Sequence, residues 1–177
     1  SHERFRRMFA HQEADRIPII DSPWEATIER WQSEGMPKDV SYVEYFGLDH
    51  MAFSSWTDNS PRYPAQVISE TDSDVTYTSA WGVTMRQWKH AASTPEFLDF
   101  TIVDADSWQK AKARIDTARD RVRWDMLAKE YPLWREQNAW IAPVVWFGFD
   151  VTHSWMVGTE RVLMALAEDP EWLVDMW

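Results

Sequence analysis

The sequence has no cysteine in 177 residues, which excludes disulfides and thiolate metal ligands from this chain. That absence is compatible with a reducing cytoplasm, and the expectation is a cytoplasmic protein. Positive charge is also scarce. Lys and Arg number 18 against 29 Asp and Glu, a net charge of −11, and the basic residues are interleaved with acids, so nucleic acid is not an expected partner. No apolar run reaches the roughly 18 residues needed to span a bilayer, and the amino terminus is a charged helical pattern, not a signal peptide.

What the chain has in excess is tryptophan, with 13. Indoles are large and seldom fully buried, so this number predicts an aromatic-lined cavity or apolar contact surface in addition to core packing.

The organising stretch is Trp140 to Gly158. Trp140 to Phe147 carries no charge and is β-branched at Ile141, Val144 and Val145. Absence of alternation predicts a strand buried on both faces, hence a parallel sheet covered by helices. Pro143 lacks a ladder donor, so pairing is expected to begin at or after it. Asp150, Thr152, His153 and Ser154 follow the strand, where α/β sheets and barrels keep their chemistry.

Upstream, Ser1 to Gln12 reads as an amphipathic helix capped by Ser1, and Ile17–Ile20 as a short buried strand. Asp21-Ser22-Pro23 opens a helix with Trp24, Ile28 and Trp31 on one face. Leu48 to Phe53 reads as a second core strand. Gln66 to Trp88 alternates and is rich in Val, Thr, Tyr and Trp, which predicts an antiparallel hairpin or meander outside the parallel sheet. Helices are expected from Asp106-Ser107 to about Ile115, from Trp124 to Gln137 around Pro132, from Ser154 or Thr159 to Glu168, and again after Asp169-Pro170.

Asp21 is a candidate acid/base, or equally the cap of the Trp24 helix. Asp49 and His50 sit at the start of a strand, where packing or a turn is the simpler role. Asp150 and His153 form the best pair, a carboxylate three residues from an imidazole it can orient for proton transfer or metal ligation. Trp24, Trp56, Phe149 and Trp155 are candidate walls of a small-molecule pocket, with core packing as the plainer alternative for the aromatics near His153.

The order of ERFRRMFAHQEADRIPI, YFGLD, WGVTMRQWKHAASTPEFLDF and WMVGTERVLMALAEDPEWLVDM resembles the amino-terminal half of the uroporphyrinogen decarboxylase superfamily along essentially the whole chain. The resemblance implies a (β/α)8 TIM barrel with an inserted hairpin at about 66–88, of which residues 1–177 would form the front part of one domain. The remaining half would come from another segment, another chain or a homo-oligomer. Two places depart from true uroporphyrinogen decarboxylases. Asp21-Ser22-Pro23-Trp24 stands where they have an arginine-bearing RQAGR motif, and Trp155-Met156-Val157-Gly158 where they have a YMVEG-like tyrosine. Both remove groups that a polycarboxylate tetrapyrrole needs. The resemblance therefore points towards the methylcobamide methyltransferase-like members. It implies corrinoid-dependent methyl transfer or demethylation of a small molecule, a cobamide as methyl donor or acceptor, zinc held by residues outside this chain, and a corrinoid protein as partner. Decarboxylation of a tetrapyrrole or smaller carboxylate, and non-catalytic binding of a cobamide or aromatic ligand, are the alternatives.

Overall fold

Pro143 marks the end of the central strand and not its beginning. In the computed structural model, which describes residues 1–177, the parallel ladder runs from Met51↔Trp140 to Ser54↔Pro143 and closes with the Val144 N–H donating to the Ser54 carbonyl at 2.8 Å. Proline costs nothing there, because the bonds to β1 come from the alternate residues, Trp140 and Val144, and the missing donor of Pro143 lies on the side away from β1.

The helices are α1 His2–Phe9, α2 Glu25–Ser33, α3 Tyr42–Tyr45, α4 Ala105–Lys112, α5 Trp124–Glu136, α6 Gly148–Val151, α7 Thr159–Glu168 and α8 Glu171–Met176. The strands are β1 Met51–Ser54, β2 Gln66–Glu70, β3 Asp74–Thr78, β4 Val83–Trp88, β5 Glu96–Phe100 and β6 Trp140–Pro143. They form a two-stranded parallel sheet, β1-β6, and a four-stranded antiparallel sheet, β2-β3-β4-β5. The fold is mixed α/β, and these sheets do not close into the barrel expected from the resemblance. No helix is long and apolar enough to cross a membrane.

The chain divides into two compact units, the first Ser1–Thr57 with Val122–Val144 and the second Asp58–Arg121 with Val145–Trp177. In the first, Phe5 is buried, and Phe5 and Phe9 stack on Trp140 at 5.7 and 5.3 Å between ring centroids. Ser1 does not cap α1 with its side chain; its hydroxyl accepts the His50 N–H at 2.8 Å instead. Helix α5 runs through Pro132 without a restart.

Ile17–Ile20 is not a strand, and Ile17 is 78% exposed. The cause is local: Pro18 has no N–H to donate, and Ile19 spends both its backbone groups on Asp49, donating to the carboxylate at 3.1 Å and accepting the Asp49 N–H at 2.7 Å. A chain so occupied has nothing left for a ladder.

In the second unit the expected meander is present and gains a fourth strand, β5. Alternation in β4 buries Val83 and Met85, each contributing about 1.5–3 kcal/mol by removal from water. Helix α4 begins at Ala105, one residue earlier than Asp106-Ser107 implied, because Asp104 and Ser107 form a reciprocal capping box. The core gathers Ile102, Trp108, Ala111, Val157, Val162 and Leu173. Past β6, Val145 to Phe147 leaves the sheet and is exposed, so the continuous strand expected to Phe147 stops at its midpoint.

Candidate functional site

The segment after the central strand folds as one α-helical turn, α6, followed directly by a π-helical turn at Thr152–Met156. A π turn holds one extra residue per turn and is often kept where a side chain must be re-aimed. Here it separates neighbours in sequence: Thr152, Met156 and Val157 are buried, while His153 is partly exposed. Gly158, at φ +97°, ends the turn and starts α7. A Cβ there would stand 2.7 Å from Cε2 of Phe100, so only glycine lets the backbone pass this ring.

His153 is held on three sides. Its Nδ1 lies 3.1 Å from the Thr159 hydroxyl, Nε2 lies 3.0 Å from the Ser154 hydroxyl, and Phe149 stacks on the ring at 4.9 Å. Asp150 Oδ1 stands 3.7 Å from Nε2, beyond hydrogen-bond reach, and its side chain is 75% exposed, so solvent weakens what it exerts on the ring.

The imidazole opens on a groove of about 810 Å³. Phe97, Phe100, Met164 and Trp172 make its apolar wall, and Thr159, Glu160 and Arg161 line it from the start of α7. Arg161 lies over the Phe100 ring at 5.9 Å and donates to the Val157 carbonyl. Trp155 points elsewhere, edge-on to Phe97 at 5.8 Å and to Trp146 at 6.4 Å.

Of the residues singled out from sequence, Asp150, His153, Phe149 and Trp155 thus belong to the second unit, with Phe149 and Asp150 against His153. Asp21, Trp24 and Trp56 belong to the first. There Asp21 accepts the Ser22 N–H at 2.7 Å, and its carbonyl accepts from the Tyr42 hydroxyl at 3.2 Å. It shapes the turn before α2, whose cap position is Trp24 and not Asp21. Trp24 is 54% exposed. Trp56 donates its indole N–H to Glu130 at 2.7 Å, which fixes it on α5.

In sequence, Ser154 stands after the strand beside His153 without a role of its own, and Thr159 only as a possible helix start. Only the glycine before Thr159 hinted that a helix restarts there with a hydroxyl in its first turn. Asp49 proves structural, as its place before a strand implied: its carboxylate is inaccessible and bonds Arg4 and Arg16 at 2.7 and 2.6 Å. Arg121, buried at 6% exposure, escaped the sequence reading altogether.

No grouping of three His, Asp or Glu side chains able to hold a metal ion forms in the chain. No family model, no curated protein and no solved structure matches this chain.

Proposed function

We propose that the chain carries part of the small-molecule site of a cytoplasmic enzyme of the uroporphyrinogen decarboxylase-like type, working in corrinoid-dependent methyl transfer or demethylation. The observation that supports it is the seat of His153, an imidazole fixed by Thr159, Ser154 and Phe149 at the edge of an open groove. The motif order supplies the reaction class.

A cobamide, when bound, supplies the cobalt that accepts or donates the methyl group. His153 does not fit a cobalt ligand, since both its nitrogens already face hydroxyls, and in this reading zinc falls to residues outside the chain.

What His153 does in this reading is move a proton. When a methyl group leaves a heteroatom without its bonding electron pair, the heteroatom keeps that pair and takes a proton. The protonated ring at the groove edge donates it and recovers a proton from solvent. Phe97, Phe100 and Trp172 exclude water from the apolar part of the substrate.

The test is to incubate the purified protein with methoxyarene and methylthioether substrates and cob(I)alamin, following methylcobalamin by absorbance. Turnover that falls roughly 10²–10⁴-fold in His153→Ala supports the assignment. An unchanged rate in that variant removes His153 from the reaction. Absence of methylcobalamin together with carbon dioxide release from a carboxylated substrate moves the chain to decarboxylation.

A further inference from the structure

The π turn that aims His153 at one groove aims Thr152 and Met156 at a second, smaller space. We propose that this cavity, about 180 Å³ within the second unit, is a binding site for a single benzene-sized aromatic ring.

Three indoles frame it: Trp81 from the turn between β3 and β4, Trp108 from α4, and Trp146 from the segment before α6. Ile115, Val151, Met156 and Met176 line the rest of the wall, and Trp146 and Phe147, both exposed, leave it open to solvent on one side. Indoles and thioether sulfurs around one space suit an aromatic guest, with which they can make edge-to-face and sulfur contacts beyond its buried area.

The polar groups at the wall are few and mostly engaged. The Thr152 hydroxyl donates to the Gly148 carbonyl at 2.8 Å and accepts the Trp177 indole N–H at 3.0 Å. Trp108 spends its N–H on Asp175 at 2.7 Å. The Asn59 side-chain amide donates to the Trp146 carbonyl, tying two rim segments together. A space of about 150 Å³ is large enough to accept benzene. Volume and wall chemistry therefore agree on the same guest. His153 does not line this cavity, so the assignment stands apart from the proposed reaction.

Benzene titrated into the 177-residue protein by calorimetry and ligand-observed NMR should bind with a Kd on the order of 1 mM or tighter. Ile115→Phe, which fills the space with a larger side chain, should weaken binding at least about tenfold. Met176→Ala, which enlarges it, should admit naphthalene, which the wild type excludes. Circular dichroism establishes that each variant is folded, and either variant suffices. Absence of benzene binding up to its solubility overturns the proposal, as does binding that the folded variants leave unchanged.

Discussion

Arg4 donates to the Asp49 carboxylate at 2.7 Å, and Asp49 is 2% exposed. With Arg16 on the other oxygen and the Ile19 N–H beside it, this carboxylate binds the amino-terminal segment to the start of β1. Removing it leaves the Ile19 N–H without its acceptor and takes one partner each from Arg4, which keeps Asp15, and Arg16, which keeps the Ile17 and Gly47 carbonyls. Since both arginines keep some contact with water, Asp49→Ala should cost about 2–3 kcal/mol, less than a fully buried pair. Chemical denaturation followed by tryptophan fluorescence measures it.

The same contact gives the first unit an acid limit. Burial works to raise the Asp49 carboxyl pKa, but the bonds from Arg4, Ile19 and Ser1 and the Arg16 charge outweigh it and hold it below the ordinary 3.8. A carboxyl lowered in the folded state stabilises fully above its unfolded pKa. That contribution disappears as pH falls below 3.8 and through the folded value. Wild type should therefore lose stability over that window more steeply than Asp49→Asn, measured by denaturation midpoints at successive pH values.

Gly158→Ala should destabilise the second unit by roughly 2–4 kcal/mol, combining a positive φ with a Cβ forced against Phe100. The double variant Gly158→Ala/Phe100→Ala should recover the steric part and keep the backbone part. If the two losses simply add, the ring is not the obstacle.

Arg121 donates to Asp116 at 2.6 Å and to the carbonyls of Ser60 and Arg114 at 2.8 and 2.7 Å. Arg121→Met should cost roughly 3–5 kcal/mol, read from denaturant midpoints. Arg121→Lys should fall between, because a point ammonium cannot serve three directions as the planar fork does.

These contacts separate what was legible in sequence from what was not. The β2-β3-β4 meander was legible because its partners are neighbours in the chain and its alternation is period two. Ile17–Ile20 has an equally apolar local pattern, yet its backbone bonds go to a residue 30 positions away. Asp104 and Asp106 both precede a residue able to complete a capping box three positions on. Sequence favoured the later aspartate, and the Ser107 hydroxyl selects the earlier. At the site, Asp150 and His153 were legible as an i,i+3 pair. Thr159 was not, because the π turn and Gly158 break the helical spacing that would have pointed to it.

Thr159 supplies the last test of the proposed reaction. It touches His153 Nδ1 through its hydroxyl and therefore acts as a positioning residue, setting which ring nitrogen carries the proton. Thr159→Val keeps the shape and removes the hydroxyl, while Thr159→Ser keeps the hydroxyl and trims a methyl. If His153 is the proton donor, the valine variant should lower kcat roughly tenfold or more and move the acid-to-base arm of its pH profile. The serine variant should restore both. KM should change little, since the Thr159 hydroxyl is committed to the imidazole. Loss of stability in Thr159→Val without a shift in the pH profile would make the contact purely structural. A shift that serine does not rescue would assign it to something other than the hydroxyl.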